Sequence, residues 1–331
     1  MQLSLPLWRP QIAPRAPARP ASLARTAAGG WFSRDEAIMG TAIHVELWAD
    51  RPADGEAAVL AVLSEMHRID RAFSPHKPDS ELSRLNRAAA AAPFPVSDEM
   101  YRLLDLARGF SERSQGAFDI SFAAVGRLYD YRHGVAPDDA ALAAARSLVD
   151  WRGIQLDPQA RSVRFARDGM CIDLGGFAKG HAVDCAALRL QAMGIRHAYV
   201  SAGGDSRVIG DRRGRPWSVA IRHPRNAAEV VAVLPLEDVA VSTSGDYERY
   251  FERAGVRHHH LLDPTTGRSP AHVHSVSIVA DDGLTSEALS KTVFVLGVER
   301  GLAIVEQTPG ADAVVVDASG RLHFTSGLLP H

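Results

Sequence analysis

Between Met170 and Gly210 the spacing of apolar and polar residues changes period twice. Met170 to Leu174 reads as a short strand and Gly175-Gly176 as a turn. Ala178 to Met193 reads as a helix, because Val183, Ala186, Ala187, Leu190 and Gly194 recur at i, i+3, i+4, i+7 and i+11. Gly194 stops that helix, His197 to Ala202 alternates as a second strand, and Gly203-Gly204-Asp205 ends it. Two glycine pairs thus close a strand-helix-strand unit, and both can take backbone conformations that let another group approach closely.

Upstream, Ala37 to Leu47 alternates as a first strand entered through Met39-Gly40-Thr41. A helix follows from about Gly55 to Ala72, with Val59, Val62, Leu63, Met66 and Ile69 on one face. A polar loop with Pro75 and Pro78 then leads to a short turn carrying Ser80, Leu82, Leu85 and Asn86; Phe73 and His76 at its start are compatible with covering a flat ring. Ser97 N-caps a helix running through Ser111, and Pro137 to Arg146 forms a short one. Gly153 to Ile172 reads as strands joined by turns at Asp157-Pro158 and Gly169. Beyond Gly210 the composition turns to β at Trp217 to Arg222, Val230 to Leu236, Val239 to Ser242 and Ser275 to Ala280. Ser286 to Leu296 and Val298 to Gln307 read as helices, and Ala311 to Phe324 as a closing hairpin.

Composition narrows the class. With 331 residues, 46% of them hydrophobic and 23% charged, the chain can bury a full core. A formal net charge of −2 gives no general reason to bind nucleic acid. No run reaches the ~20 apolar residues of a membrane span. Residues 1–34 differ in kind: Arg9, Arg15, Arg19, Arg25 and Arg34 are spread among Pro and Ala with no acid before Asp35. That composition reads as a disordered or misassigned segment ahead of a single domain over 35–331. It lacks the apolar core of a secretory signal and no cysteine follows to take a lipid, which favours the cytoplasm without naming the compartment. Cys171 and Cys185 fit neither a disulfide framework nor a zinc spacing and read as small buried side chains.

Candidate chemistry gathers at the glycine turns. Asp173, Lys179 and Asp205 lie near strand ends and a helix start, where phosphates are commonly held. The arrangement is not a P-loop, since Lys179 precedes Gly180 and no Ser or Thr follows to hold a metal. Gly175, Gly176 and Gly180 also lack the dinucleotide G-x-G-x-x-G spacing. Ser244, in Ser242-Thr243-Ser244-Gly245-Asp246, suits a phosphate or ring carbonyl, although a simple turn needs the same residues. Asp119 after Phe118 reads by itself as a turn acid. His258, His259 and His260 alternate sides if they lie on a strand, so they cannot all ligate one metal, and two of them are structural or solvent-facing.

Met39-Gly40-Thr41, Asp79 to Asn86, Gly116 to Asp119, Ile172 to Asp184, Gly203-Gly204-Asp205, Thr243 to Tyr247 and His260 to Gly267 occur in an order and spacing that resembles the FAD:protein FMN transferases, the ApbE-type family. The resemblance runs from about residue 37 to the C-terminus. It implies an α+β fold, a single domain with mixed or antiparallel sheets flanked by helices, and an FAD cleft. The implied reaction moves the FMN half of FAD onto a Thr or Ser hydroxyl of an acceptor protein and releases AMP. A non-catalytic FAD-binding protein and an FAD pyrophosphatase giving FMN and AMP are the competing readings.

By that resemblance Met39, His76, Ala117, Phe118, Asp119, Asp173, Lys179 and Leu262 fall at flavin-nucleotide contacts, with His76 where an aromatic Tyr is common, and His260 falls at the base. Neutral imidazole suits the last role, and Asp246 is the next candidate. The family helix reading Ala-Asp-Ala-Leu-x-Thr holds Mg²⁺ through its Asp and Thr; here it reads Ser286-Glu287-Ala288-Leu289-Ser290-Lys291. The implied metal ligands are therefore Glu287 and the carbonyl of Gly176, or else the ammonium of Lys291 replaces the ion.

Overall fold

A computed structural model describes residues 29–226 and 228–328. Its central sheet has eight strands, β1 (Gly30–Ile38), β2 (Thr41–Ala49), β3 (Ala198–Ala202), β4 (Asp205–Ile209), β5 (Ala240–Gly245), β6 (Val273–Ala280), β7 (Asp312–Asp317) and β8 (Leu322–Phe324). They lie side by side in chain order and every neighbouring pair is antiparallel. Helices lie between the strands in sequence: α1 (Pro52–Phe73), α2 (Glu81–Ala88), α3 (Asp98–Arg113), α4 (Asp139–Arg146) and α5 (Ala178–Ala192) between β2 and β3, and α6 (Gly283–Leu296) and α7 (Val298–Glu306) between β6 and β7. The α+β class follows.

On β2 the alternation is plain, since Ile43, Val45, Leu47 and Ala49 are buried between less buried neighbours. They join Val62, Met66 and Ile69 of α1, Ala186 and Leu190 of α5, and Val293 of α6 in one core. Two short strands, Trp217–Arg222 and Val230–Leu236, form a hairpin whose Trp217 and Leu236 pack on Val208 and Val241 of the central sheet. A small three-stranded sheet, Phe94–Pro95, Ser162–Phe165 and Ile154–Asp157, lies apart from the central one.

Several sequence expectations change. Met39 and Gly40 do not lead into a first strand; they are the two-residue turn of the β1–β2 hairpin, with φ of 55° and 68°, the two positive values that a turn of this hand demands. β1 also takes in Gly30 to Arg34, which composition had assigned to a segment unable to pack; residues 1–28 lie outside the described residues. The short turn after Pro78 is helix α2, capped by the Ser80 hydroxyl accepting from Ser83 N–H at 3.0 Å. Met170 to Leu174 joins no sheet. Its backbone is satisfied instead by the Asn86 amide, which bonds both the N–H and the C=O of Ile172 at 2.9 Å, and by the Ile120 carbonyl, which accepts from Asp173 N–H at 2.9 Å. Among the described residues no helix is long and apolar enough to cross a membrane.

Candidate active site

The site is built where α5 and α6 cross. A Cβ on Gly180 would stand 2.2 Å from the Gly283 carbonyl oxygen, and one on Gly283 would stand 2.6 Å from that of Gly180, so only glycine at both positions lets the helix starts meet. The Asp184 carboxylate fixes the crossing by accepting from Gly283 N–H at 2.7 Å and Leu284 N–H at 3.0 Å, which caps α6. Burial pushes its carboxyl up to about 6.

This crossing places Lys179 against Glu287. The Lys179 ammonium donates to Glu287 Oε1 and, at 2.5 Å, to Asp205 Oδ2. Gly180 N–H donates to Glu287 Oε2 at 2.7 Å, and Ser242 donates to Asp205 Oδ1 at 2.5 Å. Both carboxylates are buried, Glu287 completely. Burial lowers the pKa of Lys179, but the two carboxylates outweigh it and raise the value overall. Lys291, one turn beyond Glu287, reaches Glu287 Oε1 and Ser290 Oγ only at 3.4 Å. Its stem runs beside Gly176, where a Cβ would touch Lys291 Cγ at 3.6 Å and Cε at 3.7 Å.

His260 lies just past the strand Val256–His259, with its N–H donating to the Arg249 carbonyl. Burial, then the positive charges of Lys291 and Arg249, push its imidazole down to about 3. It is a neutral ring at physiological pH, and its buried Nδ1 has no partner among the described residues. The other two histidines are structural: His258 stacks on Phe251 with centroids 4.9 Å apart, and buried His259 bonds the Pro270 carbonyl through Nε2 at 2.9 Å. Asp173 closes the opposite wall. Burial raises its carboxyl despite a 2.6 Å bond from Gly175 N–H and the nearby charges of His76, Arg249 and Lys179.

The predicted residues therefore divide. Asp173, Gly176, Lys179, Glu287, Lys291 and His260 converge, and exposed His76 stands at the rim near Asp173. Arg249 joins them unforeseen; its guanidinium reaches the Gly40 carbonyl at 3.3 Å and ties the Met39-Gly40 turn to the same wall. The side chains of Ala117, Phe118 and Leu262 are buried in apolar packing; the Phe118 ring sits 5.9 Å from Phe110 and 5.6 Å from Phe177, so only their backbones could face a ligand. Asp119 is the turn acid that composition allowed, since its oxygens accept from Ser121 N–H, Ser121 Oγ and Trp151 N–H. Ser244 turns inward onto Ser290 Oγ at 2.8 Å. Phe73 is a core residue edge-on to His181 and covers no ring at the surface. Asp246 cannot be the reserve base, because Arg225 holds both its oxygens at 2.6 Å.

The residues present do not fit a divalent ion. Both Glu287 oxygens and both Asp205 oxygens already accept hydrogen bonds, and two ammonium groups occupy the space beside them. Elsewhere, among the described residues, Glu99, His181 and Cys185 form the one close group of potential ligands; Arg68 and His181 hold the Glu99 carboxylate at about 2, and burial pushes the Cys185 thiol up to about 12.

The ApbE family model matches residues 39–315. The FAD:protein FMN transferase of Treponema pallidum is 35% identical over 318 residues, which are 90% of this chain and 88% of the relative. That of Vibrio cholerae is 31% identical over 303 residues, covering 88% and 90%. Among solved structures, the ApbE protein of Thermotoga maritima superimposes with a TM-score of 0.84 at 31% identity, and the flavin transferase ApbE of Vibrio cholerae with 0.80 at 27%; each comparison covers 90% of this chain and 98% of the other. With a match this long and a common fold, the chain belongs to the ApbE family.

Proposed function

We propose that this protein is a transferase that moves FMN from FAD to a Thr or Ser hydroxyl of an acceptor protein and releases AMP. The observation that carries the reading is a neutral, buried imidazole at His260 next to a cationic pocket, within a chain whose relatives are FAD:protein FMN transferases. His260 takes the proton of the attacking hydroxyl. Lys179 holds Asp205 and Glu287 in place, and Lys291, Arg249 and the N-terminus of α5 face the pyrophosphate. Asp173, His76 and the Met39-Gly40 turn line the flavin-nucleotide side, with the backbones of Ala117, Phe118 and Leu262 completing it.

The test is incubation with FAD and a candidate acceptor, followed by the acceptor's mass. A gain of one FMN less one water, with an equal yield of AMP, supports the transferase. FMN and AMP in equal amounts with an unlabelled acceptor would make the protein a pyrophosphatase, and FAD bound without AMP release would make it a binding protein.

A further inference from the structure

We propose that the Lys291 ammonium takes the electrostatic role of a divalent cation in this pocket, so that FAD is bound and cleaved without a metal ion. The inference rests on the transferase reading above and specifies how its pyrophosphate is held.

Three observations carry it. Mg²⁺ requires oxygen donors at about 2.0–2.1 Å in near-octahedral order. Both Glu287 oxygens are already engaged, Oε1 by Lys179 and Lys291 and Oε2 by Gly180 N–H, and the Lys291 stem runs through the space beside Gly176. Charge is also balanced: Asp205 and Glu287 are offset by Lys179 and Lys291. A metal ion would add two positive charges beside two ammonium groups, with neither Asp205 nor Glu287 left uncompensated to receive it. Finally, the two lysines are held differently. Lys179 is tied at short range to two buried carboxylates, whereas Lys291 has two contacts of 3.4 Å and three N–H donors, so it can turn towards an incoming anion. It also lies close enough to His260 to be the first of the charges that hold the imidazole neutral.

The acceptor hydroxyl oxygen forms a bond to the flavin-side phosphorus, and the bond from that phosphorus to the bridging oxygen breaks. The electron pair leaves with AMP, and the hydroxyl proton passes to His260. Lys291 bonds the phosphate oxygens on which charge collects, with one positive charge where a metal supplies two.

The experiment uses the full-length protein. FAD affinity is read from quenching of flavin fluorescence and cleavage from AMP release, each in excess EDTA and in millimolar Mg²⁺. Bound Mn²⁺ is read from its electron paramagnetic resonance in the FAD complex. The expected result is affinity and AMP release unchanged by chelator, and no bound Mn²⁺. Lys291→Thr should lower FAD affinity in EDTA by about 10–100-fold, the loss expected for charge-assisted hydrogen bonds, while Lys291→Arg retains it. Mn²⁺ bound by the parent complex, AMP release that requires Mg²⁺, or full affinity in Lys291→Thr would each overturn the inference. A parent that binds no FAD under either condition would instead remove the transferase reading beneath it.

Discussion

Helix α5 carries two charge clusters, on sides roughly 200° apart around its axis, and they are built on opposite plans. On one side Lys179 meets Asp205 and Glu287, with Lys291 loosely attached. On the other, His181 bonds Glu99 at 2.7 Å, Arg68 clamps both Glu99 and Glu65, and Arg189 bonds Glu65 at 2.8 Å. The second cluster is closed, for each of its charges has its partners within the cluster and a ligand could enter only by breaking an ion pair. The first is open by one group, the Lys291 ammonium, and it is next to a buried ring nitrogen without a partner. Similar residue types on one helix thus give a clamp between helices in one case and, in the proposed site, an open cationic pocket in the other. What separates them is unspent hydrogen-bonding capacity, not charge.

The sharpest break between the two should appear in the chemistry. His260→Ala is expected to keep its fold and bind FAD while AMP release and acceptor labelling fall by roughly 10²–10⁴-fold, the range for loss of a general base. Labelling at the parental rate would move the base elsewhere, and not to Asp246, which Arg225 holds.

Within the open cluster the two lysines should part company. Lys179→Met leaves two buried carboxylates with only the loosely held Lys291 beside them, and the expected loss of stability is about 3–5 kcal/mol by chemical unfolding. Lys291→Met removes only long contacts and should change stability by less than about 1 kcal/mol. Equal losses in both would erase the distinction between a structural and a ligand-facing lysine. On the closed side, Arg68→Ala should cost about 1–3 kcal/mol, since Glu65 and Glu99 keep Arg189 and His181, and it should leave FAD affinity unchanged.

How much of this the sequence disclosed depended on whether a residue's job shows as a period. α1 and α3 have one buried face each and α5 has the apolar row Val183, Ala186, Ala187 and Leu190, and that spacing marked them. β1 escaped notice because it is an edge strand exposed along most of its length, so its Phe32 and Ala37 sit among charges with no alternation to detect. Met170 to Leu174 looked like a strand since burial on both sides makes an apolar run, but a side-chain amide 86 positions away does the pairing, which no local pattern records. At the site, Asp173 and Lys179 were legible as residue types at a turn and a helix start, whereas Glu287 and Lys291, which lie inside a helix, and the role of His260 were picked out only by the family resemblance. Arg249 was not legible: it is one exposed arginine among many, and only the hairpin geometry brings it to the Met39-Gly40 turn. The inward turn of Ser244 was equally hidden, because a hydroxyl reads alike whether it faces a phosphate or another serine.

The smallest effect in the working range concerns pH, and it again separates the open cluster from the helix crossing behind it. His260 titrates near 3 in the folded protein and near 6.5 when unfolded, because burial, Lys291, Arg249, His259 and Lys179 all disfavour the imidazolium. Between those values the unfolded chain binds the proton that the folded chain refuses, so this group's contribution to stability falls as pH is lowered through 6.5. From pH 7 to pH 6 the expected loss is about 0.7 kcal/mol, steepening at lower pH. Asp184 acts in the opposite sense, since its folded value of about 6 lies above the unfolded one and its proton favours the folded state on acidification. The two would partly cancel in the parent. The informative quantity is therefore the difference between parent and His260→Gln, which removes the imidazole and leaves Asp184 in place: unfolding midpoints measured from pH 7 to pH 5 should fall more steeply in the parent. Parallel curves would mean that His260 takes a proton as readily in the fold as in the open chain, and that the pocket is less cationic than its two lysines and Arg249 make it.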